Sequence, residues 1–163
     1  MSQHSKAKVF VSYSHLDENF RTELDIQLTI LRNKGYLDWW SDQRLVPGDE
    51  FEQQILDQLK SSNIILLLIS SYFLASPFCW TIELAEAIRR HDEGTARVVP
   101  IFVRVCNSEE TPVAKLHGVP PKEKPVAKWK DRHQAWSEVA QGIKRAVEEW
   151  LIRQEILPEE AAG

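Results

Sequence analysis

Cys79, Trp80, Glu83, Glu86 and Arg90 are the residues of this chain whose types and spacing hold chemistry. At about 100° per residue on a helix, Trp80, Leu84, Ala87 and Ile88 share an apolar face, and Cys79, Glu83, Glu86 and Arg90 form the flank beside it. Glu83 then stands at the border of the buried face, one helical step from a thiol and an indole. Partial desolvation and the like charge of Glu86 both oppose its ionisation. Such an environment prepares a carboxyl group for acid–base or cation-stabilising work. The competing reading of the same pattern is structural: Glu83 pairs with Arg90 or with a residue on a neighbouring element.

The second candidate is Ser41-Asp42-Gln43-Arg44-Leu45-Val46-Pro47-Gly48, read as a loop closed by a Pro-Gly turn. Leu45 and Val46 form an apolar tip there, and an exposed apolar tip on a loop serves binding. The alternative is that both side chains fold back onto the body of the domain.

Other chemistries are excluded at the level of motifs. There is no CxxC pair, no HExxH and no GxxxxGK(S/T), and the five histidines lack ligand spacing, so no metal is expected. Two cysteines, Cys79 and Cys106, make no disulfide framework and fit a reducing compartment. The 20 Lys and Arg against 24 Asp and Glu leave a net charge of −4, which invites neither nucleic acid nor an anionic membrane. The longest apolar run, at 64–69, is far short of the roughly 20 residues of a membrane span. The first residues lack the apolar core of a signal peptide, so a cytoplasmic location is expected.

The elements that position these residues follow from periodicity. Residues 8–13, rich in β-branched and aromatic types, predict a strand. Phe20, Leu24, Leu28 and Leu31 predict an amphipathic helix that stops near Gly35. A short strand at 36–40 follows, then the loop, then a helix capped by Asp49 with Glu52 at its third position and Phe51, Ile55 and Leu59 inward. Continuous Ile and Leu at 64–69 predict a strand buried on both faces. Ser76-Pro77 predicts the start of a helix running to about residue 91. Residues 97–105 predict a fourth strand, 107–125 a long loop, and 126–129 a short fifth strand. Asp131 and Gln134 resemble a capping box, opening a last helix with Trp136, Val139, Ile143, Val147 and Trp150 inward.

Five strands alternating with helices imply a three-layer α/β fold with a parallel sheet. Ligands in such sheets bind beyond the carboxyl ends of the strands. Residues 1–6 are expected to be disordered, 7–153 to form the domain, and 154–163 to be a tail or linker. Of six tryptophans, Trp136, Trp150 and Trp129 are assigned to structure, and Trp39, Trp40 and Trp80 to the ligand-binding edge.

Val9-Phe10-Val11-Ser12-Tyr13-Ser14 resembles the first box of Toll/interleukin-1 receptor (TIR) domains. Trp39-Trp40-Ser41-Asp42, with Arg44 and Val46-Pro47-Gly48, is similar to the second box, the BB loop. Ser76 to Leu84 resembles the helix-C motif, Val98-Val99-Pro100-Ile101 the fourth strand, and Lys128-Trp129 through Trp136 the close of prokaryotic members. The resemblance spans nearly the whole chain and implies a five-stranded flavodoxin-like fold.

It also implies an activity: cleavage of NAD, as substrate and not cofactor, at the nicotinamide–ribose bond to give ADP-ribose or a cyclic isomer. The family's helix-C glutamate aligns with Glu83, which would be catalytic. Phe10 or Tyr13, and at least one of Trp39, Trp40 and Trp80, would offer stacking surfaces, Ser14 and Arg44 would reach ribose or phosphates, and Cys79 would line the same pocket. Leu45, Val46, Pro47 and Gly48 would form the assembly loop, since members act when clustered through TIR–TIR contacts. A fused or separate sensor domain and a role in bacterial antiviral defence are implied in the same way. The alternative within the family is a non-catalytic interaction module. The chain departs from the family pattern in placing Cys79, not an aromatic, four residues before the glutamate, and in lacking basic residues after the first strand.

Overall fold

The β-branched and aromatic run near the start forms β1 (Ala7–Ser14), buried along almost its whole length. The computed structural model describes residues 7–46 and 52–162, with side chains apart from positions 38, 39, 41, 42 and 155–162. After a 3-10 turn comes α1 (Glu18–Asn33), whose inward residues Phe20, Leu24, Leu28 and Leu31 are those of the sequence pattern. Gly35, with φ of 91°, takes the left-handed conformation that turns the chain into β2 (Leu37–Leu45).

The expected loop at 41–48 is strand as far as Leu45. Ser41 to Leu45 pair in parallel register with Phe10 to Ser14, so β1 holds this stretch extended. Pro47, Gly48, Asp49 and Phe51 lie outside the described residues. In α2 (Gln53–Ser61) Glu52 occupies the cap position and not the third position, and Leu59 is buried. The all-apolar β3 (Ile64–Ile69) is fully buried, and a short α3 (Ser71–Leu74) that periodicity did not signal follows it.

Ser76-Pro77 opens a 3-10 turn (Pro77–Trp80) and not the long helix. Thr81 breaks the chain with an extended backbone, and its hydroxyl accepts from Leu84 N at 3.1 Å to cap α4 (Ile82–Glu93). Then β4 (Arg97–Phe102), a long irregular stretch, and α5 (Arg132–Ala162) complete the chain. The helical backbone of α5 thus continues through the expected tail.

Among the described residues the sheet has four strands in the order β2-β1-β3-β4, all parallel. The fifth strand expected at 126–129 is a 3-10 turn at Val126–Lys128. Pro125 has no N–H to give a ladder, and the turn closes on itself through Lys128 N to Pro125 O and Trp129 N to Val126 O. The architecture remains three-layer α/β with the flavodoxin-like strand order. One core, formed by Val9, Val11 and Tyr13 of β1 with α1 and α5, covers one face of the sheet. The other, formed by Phe10 with residues of α3 and α4 and Leu59 of α2, covers the opposite face.

Candidate functional site

The carboxyl ends of the strands form the edge where sequence reasoning placed the chemistry, and Glu83 lies in the first turn of α4 at that edge. Leu84, Ala87 and Ile88 anchor the helix in the core, which leaves Glu83 half-buried at the rim. The pairing of Glu83 with Arg90 is not formed, because Arg90 instead donates to Lys60 O at 2.7 Å and Ser62 O at 2.8 Å. Among the described residues Glu83 has no hydrogen-bond or ion-pair partner.

The surroundings of Glu83 differ from those expected. Glu86 is held by Arg89, whose Nε donates to it at 2.5 Å, and this guanidinium keeps the Glu86 carboxyl below its usual range. The break at Thr81 removes Cys79 and Trp80 from the helix, so the flank drawn by helical spacing ends at Glu83. Cys79 is fully buried in the α4-side core, and burial pushes its thiol up to about 11. Trp80 is 57% exposed, with its indole N–H donated to Leu74 O at 2.9 Å.

The remaining candidates divide between the two faces of the sheet. Phe10 and Leu45 are buried on the α4 side, so Leu45, only 4% exposed, is core and not part of an exposed tip; Val46 is half-buried. Tyr13 and Trp40 pack on the α1 side, away from Phe10. There the Trp40 indole donates to Asp25 at 3.0 Å and Arg32 lies over its ring. Arg44 pairs with Glu18 at 3.5 Å, and buried Ser14 caps the 3-10 turn by accepting from Leu16 N at 3.3 Å. Trp39 belongs to β2, opposite Lys8, and its side chain lies outside the described residues. The structural tryptophans are as expected: Trp136 and Trp150 are buried, and Trp129 donates to Lys124 O at 2.8 Å.

Sequence reasoning missed one cluster. The crevice between β1 and β3, where the strand order reverses, is bridged by fully buried Asp17. Asp17 accepts from Ser70 Oγ, and from Arg104 Nε at 2.6 Å. Arg104 itself lies between the rings of Phe20 and Tyr72. These residues fall just after β1, β3 and β4, and only that shared placement at strand ends signals the cluster. On the same edge Ser12 Oγ is buried without a hydrogen-bond partner. Among the described residues no group of His, Cys, Asp and Glu fits a metal ion, and no helix is long and apolar enough to cross a membrane.

A parallel sheet in the order β2-β1-β3-β4, with a glutamate opening the helix before β4, defines a flavodoxin-like α/β domain. Residues 9–138 match the TIR-domain family model, and the chain belongs to that family. It is 40% identical over 138 residues to the uncharacterized protein y4lF of Sinorhizobium fredii (strain NBRC 101917 / NGR234), a match covering 85% of this chain and 43% of that protein. The chain therefore spans less than half the length of that relative. A structural likeness links it to the TIR domains of the activated Roq1 resistosome, which directly recognizes the pathogen effector XopQ. That match has 19% identity and a TM-score of 0.44, and covers 94% of this chain and 99% of the other.

Proposed function

We propose that this TIR domain cleaves NAD at the bond between nicotinamide and ribose, with Glu83 as the catalytic carboxylate. One observation carries the reading: Glu83 is the acid at the carboxyl edge, half-buried on a capped helix, that no described side chain neutralises. Other acids are already paired: Glu86 with Arg89, Glu18 with Arg21, and Asp17 with Arg104. Nicotinamide departs with the electron pair of the glycosidic bond, which leaves positive charge on the ribosyl carbon. A free carboxylate beside that carbon offsets the charge and accepts hydrogen bonds from the ribose hydroxyls. Water then adds to give ADP-ribose and a proton, or an adenine nitrogen adds instead to give the cyclic isomer.

Activity arises on self-association. Ile82, Val105 and Trp80, exposed by 82%, 63% and 57% at the carboxyl edge, are the apolar surface that a second copy would cover. The same surface also suits a purely adhesive TIR module, which is the second reading. A sensor in the same or another protein would trigger assembly, in keeping with a bacterial defence role.

The test is nicotinamide release from NAD at high protein concentration. Wild type is expected to release it, and Glu83→Ala to lower the rate at least about a hundredfold. Equal release by Glu83→Ala, or none from an assembled wild-type protein, would overturn the enzymatic reading; the second result would favour the adhesive one.

A further inference from the structure

The crevice between β1 and β3 holds one cation in a fixed place. Asp17 follows β1, Ser70 and Tyr72 follow β3, and Arg104 follows β4, so all four stand at the carboxyl edge that carries Glu83. Ser70 Oγ donates to one oxygen of Asp17, and Arg104 Nε donates to the other at 2.6 Å. The chain from Tyr72 to Glu83 stays on this edge, where the Trp80 indole is tied to Leu74 O at 2.9 Å.

Arg104 has donors to spare. A guanidinium carries five N–H groups in one plane. The Nε donor is given to Asp17, and Nη2 reaches Leu16 O at 3.4 Å. The rings of Phe20 and Tyr72, 5.0 and 5.5 Å from the guanidinium carbon, keep the plane from swinging. The Nη1 donors have no partner among the described residues, and the side chain is partly open to solvent. Neutralising Asp17 takes only the Nε side of this group.

The other cations at the start of α1 and the end of β2 are committed. Arg44, the phosphate candidate on sequence, pairs with Glu18 at 3.5 Å, and Arg21 pairs with Glu18 and Asp25, each at 2.7 Å. His15 Nδ1 lies 3.2 Å from Leu45 O. NAD carries two phosphate charges, and a diphosphate is repelled by a carboxylate such as Glu83. A fixed guanidinium with a spare edge can hold that diphosphate apart from Glu83, because paired N–H groups match phosphate oxygens.

Building on the NAD reading, we propose that Arg104 binds the diphosphate of the substrate through its Nη donors, with Asp17, Ser70 and Tyr72 as positioning residues. Glu83 then serves the ribose that loses nicotinamide, and Arg104 the charged middle of the molecule.

The experiment is a calorimetric titration of the concentrated protein with ADP-ribose, which has the same diphosphate and no nicotinamide to lose. The first variant is Arg104→Lys: lysine still neutralises Asp17, but its single ammonium, held there, has no second edge for a phosphate. Affinity for ADP-ribose is expected to fall about tenfold or more. In NAD turnover KM should rise about tenfold and kcat stay within about twofold. Tyr72→Leu, at an exposed position, should weaken ADP-ribose about two- to fivefold as the guanidinium loses a ring. Melting curves show which variants keep the fold. ADP-ribose that does not bind wild type, or binds Arg104→Lys equally well, would overturn the proposal, as would a variant that loses kcat at unchanged KM. If Arg104→Lys does not fold, unchanged affinity in Tyr72→Leu overturns it. The NAD reading fails separately: wild type that binds ADP-ribose through Arg104 yet releases no nicotinamide would keep the phosphate site and lose the chemistry.

Discussion

Asp17 is a carboxylate with no exposure to water, and such a group is tolerated only with a charge partner and hydrogen bonds. Arg104 supplies the charge, although its own side chain is 37% exposed, so solvent weakens the pair. Arg104→Ala is therefore expected to cost about 2–3 kcal/mol, below the 3–5 of a wholly buried pair, and Ser70→Ala about 1 kcal/mol. Urea denaturation measures both, and a loss under about 0.5 kcal/mol for Arg104→Ala would show that Asp17 finds other partners. The residue scale is also where sequence reading fared unevenly. Glu83 was legible because a helical stripe of Leu84, Ala87 and Ile88 fixes which side of it is wet. Phe10 and Tyr13 are alternative stacking surfaces on the sequence, and residues an odd number apart on a strand point to opposite faces. Phe10 accordingly lies on the α4 side, and Tyr13 and Trp40 on the other. Asp17 and Arg104, 87 positions apart, meet only through the order of the strands.

Among the elements, α4 carries Glu83 in its first turn, and its two ends are fixed differently. Thr81 caps the start, while Gly94 ends it in the left-handed conformation with φ of 84°. The break at Thr81 was hidden because Ser76-Pro77 carries an equally good start signal five residues earlier and uses it on a 3-10 turn. Elements with their own periodicity, α1, β3 and α5, were legible, whereas the extent of β2 depended on pairing with β1 and the lost fifth strand on local turn bonds. At the far end of α4, burial first, and then nearby Arg97 and Lys115, hold His91 below its ordinary value of 6.5, against the pull of Asp92. Protonation also removes the Nδ1 acceptor that Val98 N–H uses. The unfolded chain thus takes up this proton more readily than the folded one, so stability is full above about pH 6.5 and falls as the pH drops below it. Melting temperatures between about pH 7.5 and 5.5 are expected to fall in the wild type and to fall less in His91→Gln. Parallel curves would assign the loss to other groups. The carboxylates lowered by arginine or lysine partners, Glu18, Glu86 and Asp92, act in the same direction but only below their usual values near 4.

The molecule as a whole separates two tasks by face and edge. The faces of the sheet are closed by α1 with α5 and by α2 with α4, and they hold the large apolar residues. The carboxyl edge instead exposes Ile82 and Val105, which contribute little to folding at 82% and 63% exposure. A surface that stabilises nothing within one copy is free to serve contact between copies. Ile82→Gln with Val105→Gln is therefore expected to leave stability within about 0.5 kcal/mol of wild type, since exposed positions tolerate exchange. The uncharged replacement avoids adding a carboxylate beside Glu83. Sedimentation of the concentrated protein should show less self-association, and nicotinamide release should fall in step with it. Release that persists at full rate in a monomeric variant would separate the chemistry from assembly and leave Glu83 active in a single copy. Unchanged association would place the contact between copies on another part of the surface.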